Sequence, residues 1–163
     1  EIIYWETNSE GRFTRVEFET ALPQRKRLGL LGQSQFEHAT PLDGARWLRE
    51  VQNPDGGWGE SCLGYDTGQF ERTESTPSQT AWAVLGLIAA GEIAGAAVYK
   101  GIRWLRDHQR PDGTWEESVT TGTGFPRVFY IRYHLYKDYF PLLALGTYVR
   151  QQVSSGRAEG FSV

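Results

Sequence analysis

The sequence predicts an all-α protein assembled from helical hairpins. Three observations carry that prediction: an internal repeat, paired helix start and stop signals, and apolar residues at helical spacing. Shifted by 57 residues, Gly44–Trp58 aligns with Gly101–Trp115 without a gap, and ten of the fifteen positions are identical. Trp47/Trp104, Gln52/Gln109 and Trp58/Trp115 stay in register throughout. A match this dense marks a repeated structural unit, and its spacing suits a helical hairpin.

Each copy opens as a helix and closes in a turn. Trp47, Leu48 and Val51 share one helical face in the first copy; Ile102 and Leu105 do so in the second, with Trp104 alongside. Pro54-Asp55-Gly56 and Pro111-Asp112-Gly113 end these helices, because proline fixes its own backbone and glycine accepts the positive φ of a tight turn. Ser75-Thr76-Pro77-Ser78-Gln79 announces the next helix, with Ser75 or Thr76 as cap, Pro77 in the first turn and Gln79 reaching back. Its body runs from Ala81 to Ala90, and Gly91 closes it. The 19 residues from Ala81 to Tyr99 approach the length of a membrane span. Gly91 and Glu92, with Gly86 and Gly95, divide them instead into two buried helices joined by a tight turn. A last helix starts near Asp138 and Pro141 and runs through Leu142, Leu145 and Tyr148, and the tail 151–163 frays. Arg12–Thr20 alternates like a strand, and Arg25-Lys26-Arg27 reads as a solvated loop.

Composition narrows the function. A net charge of -3, from 17 basic and 20 acidic residues, provides no broad positive field, so nucleic acid is excluded as a partner. The single cysteine, Cys62, excludes an internal disulfide framework and a multi-cysteine zinc module. Cys62, His108 and His134 show no metal-ligand spacing, and neither a metal nor a cofactor is expected. The chain opens at Glu1, contains no methionine and has 163 residues, which reads as a piece of a larger protein. Glu60, Glu116 and Glu117 read as exposed acids in turns.

The repeated segments, Gln52-Asn-Pro-Asp-Gly-Gly-Trp58 and Gln109 to Trp115, resemble the QW repeats of squalene and oxidosqualene cyclases. Ser75-Thr-Pro-Ser-Gln-Thr-Ala-Trp82, and Thr121-Gly-Thr-Gly-Phe-Pro126 leading into Phe129-Tyr-Ile-Arg-Tyr133, resemble the closing segments of bacterial squalene-hopene cyclases. The resemblance covers residues 41–150 and implies an incomplete α/α barrel (toroid), the end of the C-terminal barrel domain. It also implies a squalene-like polyene substrate and peripheral attachment to the cytoplasmic side of a membrane. Gln52, Trp58, Gln109 and Trp115 are structural in this view: the amide satisfies free backbone groups at a helix end and the indole excludes water. Residues 1–40 depart from the family pattern and are expected to be a non-family extension without a fixed fold.

Seven of the sixteen residues from Phe125 to Phe140 are aromatic. As a helix, this stretch would place Phe125, Phe129, Tyr133 and Tyr136 on one face, with Tyr130 and Tyr139 off it in packing roles. An aromatic face stabilises a nearby carbocation without being a base that quenches it. By resemblance these four match aromatic positions that line the family's reaction cavity. Arg127, Arg132 and Lys137 must then point away from it. The family initiates cyclisation with an Asp-x-Asp-Asp acid, whereas the six aspartates here are all isolated. Initiation is therefore expected to belong to a missing N-terminal portion or to a second chain such as a homodimer mate, and the isolated chain is expected to be inactive. Two alternatives share the helical repeat: a barrel like the protein prenyltransferase β subunit, which requires zinc, and a non-catalytic lipid-binding module.

Overall fold

A computed structural model describes residues 3–7, 13–18, 41–125 and 128–154. The basic cluster Arg25–Arg27 and the end of the tail lie outside the described residues. Near the start, β1 (Ile3–Thr7) and β2 (Phe13–Phe18) form an antiparallel hairpin with Trp5 opposite Val16 and a bulge between Glu6 and Thr7. The alternation read from Arg12 onward thus corresponds to a strand.

The helical part begins with α1 (Pro41–Val51), followed by the Gln52–Trp58 turn and a loop that holds the short α2 (Gly64–Thr67). Next come α3 (Pro77–Ala89), α4 (Ala96–Asp107), the Gln109–Trp115 turn, and a second antiparallel hairpin of β3 (Gly122–Phe125) and β4 (Phe129–Ile131). The last helix is α5 (Tyr136–Ser154). Each repeat copy is therefore a helix, a turn and a second helix: α1 with α3, and α4 with α5.

Local signals set the helix ends. Thr76 caps α3, its Oγ1 accepting from the Gln79 N–H and donating to Gln79 Oε1 (3.0 Å), with Pro77 in the first turn. At the other end Gly91 takes φ 87°, and the N–H groups of Gly91 and Glu92 donate back to the Ile88 and Leu87 carbonyls, closing α3 in a Schellman motif. In both repeat turns a glycine takes positive φ, 97° at Gly56 and 85° at Gly113.

α3 packs against both α4 and α5, and almost every residue from Pro77 to Ile88 is buried. That explains its all-round apolar character without a membrane; no described helix is long and apolar enough to cross one. The core gathers Trp58, Val84, Leu87, Val98, Leu105, Phe140 and Ala144.

One prediction is corrected. Phe125 to Tyr136 is not a continuous helix: Phe125 and Phe129 face each other across the β3–β4 hairpin, and helix begins only at Tyr136. Gly122 and Gly124 weaken a helix, Pro126 biases Phe125 toward extended backbone, and Phe129-Tyr130-Ile131 favours strand. The described residues are therefore predominantly helical with little strand, in keeping with the all-α class, and only this segment departs from the expected helix.

The repeat yields a stability test. Gly44 and Gly101 occupy equivalent positions, yet a Cβ on Gly101 would lie 2.5 Å from Val84 Cγ2 and 2.8 Å from Trp58 Cζ3, while one on Gly44 would meet nothing within 4 Å among the described residues. Gly101→Ala is expected to destabilise by about 1–3 kcal/mol through overpacking. Gly44→Ala is expected to stabilise by up to about 1 kcal/mol through helix propensity. Urea unfolding of both variants reads the two signs, and equal effects would count against this packing.

Candidate functional site

The two repeat turns are built alike. The Trp58 indole N–H donates to the Leu48 carbonyl and the Trp115 indole N–H to the Leu105 carbonyl, both at 2.8 Å. Each bond satisfies a carbonyl in the last turn of the preceding helix. The Gln52 amide donates to the Gly56 carbonyl (2.9 Å) and to that of Ala97 (3.0 Å), and Gln109 donates to the Gly113 carbonyl (2.9 Å). Trp104 crosses between copies, its indole N–H donating to Asp55 Oδ2 at 3.0 Å. None of these groups is placed to do chemistry.

Above the second turn lies a cluster of rings. Tyr136 is its hub: it stacks on Tyr133 (centroids 4.5 Å) and meets Trp82, Tyr139 and Phe140 edge-on at 5.9, 5.8 and 5.0 Å. Trp82 of α3 also meets Phe140 edge-on, so the cluster joins α3 to α5. Within the cluster Tyr133 is 47 % exposed and Tyr139 46 %, which leaves large ring surfaces open; Phe129, on the hairpin, is 46 % exposed.

Of the four cavity candidates, Tyr133 and Tyr136 are brought together as neighbours in the segment leading into α5. Phe129 stands on the hairpin, paired in register with Phe125, whose side chain lies outside the described residues. The shared helical face is replaced by a hairpin followed by a helix. Tyr139, assigned to packing on the helical premise, joins the cluster, since Tyr136, Tyr139 and Phe140 fall at helical spacing within α5. Trp82 was missed as a cluster member; nothing within its own helix pairs it with Tyr136.

The neighbouring cations turn to main-chain carbonyls. Lys137 Nζ donates to Trp115 O, and Arg132 Nη1 to Ser118 O (3.0 Å), with Glu117 O at 3.4 Å. Arg127 lies outside the described residues.

Two acids read as exposed are not. Glu117 is only 5 % exposed, and its Oε2 accepts from the N–H (3.0 Å) and hydroxyl (2.7 Å) of Ser78, holding a carboxylate at the N-terminus of α3. Glu60 is half-buried, and burial pushes its carboxyl above the ordinary value of 4.5. Burial likewise raises the Cys62 thiol and the Tyr65 phenol, with Glu60 adding to both. Glu116 is exposed and pairs with Arg110. Among the described residues no three His, Cys, Asp or Glu side chains gather as a metal site.

Two tandem copies of helix, Pro-Asp-Gly turn, buried indole and second helix define a helical-hairpin repeat protein with an open aromatic face. The chain belongs to the family of squalene-hopene cyclase C-terminal domains, whose model matches residues 28–150. It is 52% identical to the squalene–hopene cyclase of Zymomonas mobilis over 114 residues, which is 69% of this chain and 17% of that protein. It is 45% identical to the squalene–hopene cyclase of Bradyrhizobium diazoefficiens over 134 residues, 80% of this chain and 20% of that one. Dammaradiene synthase of Dryopteris crassirhizoma is 45% identical over 120 residues, 64% of this chain and 18% of that protein. The chain thus spans about a fifth of the length of these relatives, between 17% and 20%.

Glu60 supplies a pH test. Its carboxyl is harder to ionise folded than unfolded, so its protonated form favours the fold; that contribution is complete below 4.5 and is lost as pH rises through the folded value. Glu60→Gln is expected to match the parent near pH 4 and to become progressively more stable than it as pH rises above 4.5. Parallel stability profiles for the two proteins across that range would contradict the assignment.

Proposed function

We propose that this chain is the closing segment of a triterpene cyclase's C-terminal α/α barrel. Its two helix-turn units serve as QW repeats, and Phe125, Phe129, Tyr133 and Tyr136 serve as part of the wall of a cavity in which a squalene-like polyene cyclises. The observation that carries this is the Tyr136-centred ring cluster, open on one face and with Arg132 and Lys137 engaged elsewhere.

Ring closure along a polyene moves positive charge from carbon to carbon. A general base beside that charge would end the cascade early, whereas the negative face of a ring lowers its energy and takes no proton. In a site closed to water each well-placed ring contributes about 2 kcal/mol. The edge-on packing of Trp82 and Phe140 against Tyr136 holds the central ring in one orientation, so little reorganisation is needed when charge arrives. No cofactor is required for such a rearrangement. The first proton comes from the upstream part of the enzyme, because this chain holds only isolated aspartates. A water-insoluble substrate favours attachment of the complete enzyme to a membrane surface as a peripheral protein, and the family resemblance implies the cytoplasmic side.

Replacing the matched segment of the Zymomonas mobilis squalene–hopene cyclase with residues 28–150 tests this assignment. The chimera is expected to convert squalene to cyclised product. Within it Tyr136→Leu should lower kcat about 30-fold, equivalent to about 2 kcal/mol, at nearly constant KM, while Tyr136→Phe retains most of the rate. Equal losses in the Phe and Leu variants would remove the charge-stabilising role.

A further inference from the structure

The β3–β4 hairpin carries Phe129, and the loop following the first repeat turn grips it. The Tyr130 hydroxyl donates to Asp66 Oδ2 at 3.0 Å, Asp66 lying in α2. At the base of the hairpin the Cys62 thiol donates to the Thr120 carbonyl (3.2 Å), with that of Gly122 at 3.7 Å. Gly122 is also where the ring of Tyr133 comes close: a Cβ there would lie 4.0 Å from Tyr133 Cε2. This loop is itself strapped to the first repeat, since Glu60 and Arg72 form a β-bridge and the Arg72 guanidinium reaches the Glu50 and Gln52 carbonyls at 3.4 Å.

Successive side chains of a strand leave opposite faces. Tyr130 is therefore held by Asp66 on the side of β4 away from Phe129, so the bond fixes the strand without covering the Phe129 ring. A hydrogen bond to a carboxylate is about twice as strong as one between neutral groups, which suits an anchor on a two-stranded hairpin that is marginal by itself. Ring stabilisation of a cation acts within about 6 Å of the ring centroid, so a hairpin free to drift by an ångström loses much of it.

We propose that Asp66, acting through Tyr130, is a positioning residue that sets where Phe129 stands against the reacting polyene, and that Cys62 tethers the base of the same hairpin. This rests on the cyclase function proposed above. It assigns to the loop around α2 control over how far cyclisation proceeds before the cation is quenched.

Two measurements test it. In the 163-residue chain, Tyr130→Phe keeps the ring and loses the hydroxyl. It is expected to speed amide hydrogen exchange in β3 and β4 about tenfold while leaving α3 and α5 unchanged, and Asp66→Asn combined with it should add little further. In the chimera, Tyr130→Phe should shift product toward partially cyclised hydrocarbons at unchanged KM and unchanged melting temperature. Hairpin exchange equal to the parent's overturns the proposal. So does a parent-like product spectrum in an active chimera. A chimera with the unmodified segment that yields no cyclised product counts against the cyclase function instead, and the exchange measurement then decides the anchor alone.

Discussion

The buried indole of each repeat is the constraint from which the rest of the helical structure follows. A helix ending inside a protein leaves carbonyls without partners, and a buried unpaired carbonyl costs about 1–3 kcal/mol. Trp58 and Trp115 meet that need with their ring N–H groups while filling the space beneath the turn. Their main-chain N–H groups reach forward, Trp58 to Thr80 Oγ1 and Trp115 to Asp138 Oδ1, at 3.0 and 3.1 Å. One residue thereby ties the preceding helix, the turn and the following helix, and the angle between α1 and α3, or α4 and α5, is set at that point.

The second repeat adds a cluster of rings to this construction. Because Asp138 and Lys137 are held by the main chain of Trp115, the first turn of α5 has a fixed orientation, and Tyr136 and Phe140 leave it toward Trp82 of α3, with Tyr139 packed against both. The first repeat reaches the same region by another path, through the loop around α2 and its contacts with the β3–β4 hairpin. Ring positions on the open face thus depend on both copies. In the proposed role such support matters, since ring attraction to a cation is short-ranged and individually modest.

Sequence and structure agree that the rings lie close together near the end of the chain while differing on how they are presented. The density of rings between Phe125 and Phe140 is visible along the chain, but a helical period applied to it places Tyr139 outside the cluster. Glycine, proline and strand-forming residues in Gly122–Ile131 override that period locally and produce a hairpin. Trp82 enters the cluster from 54 residues before Tyr136, a pairing that no local spacing encodes. Glu117 and Glu60, each beside a turn, look solvated in sequence and become buried and half-buried, respectively, only when α3 packs down beside them.

The sequence by itself determined what depends on neighbours a few residues apart: the repeated turns with positive-φ glycines, the Thr76 cap, the Gly91 stop, and the two indoles in register. These are local because backbone conformation and capping bonds reach only one helical turn. Tertiary structure alone decided which rings meet, which acids are buried, and which loop holds the hairpin. Those outcomes depend on desolvation and on contacts between segments far apart in the chain, and neither has a signature in the spacing of residues along it.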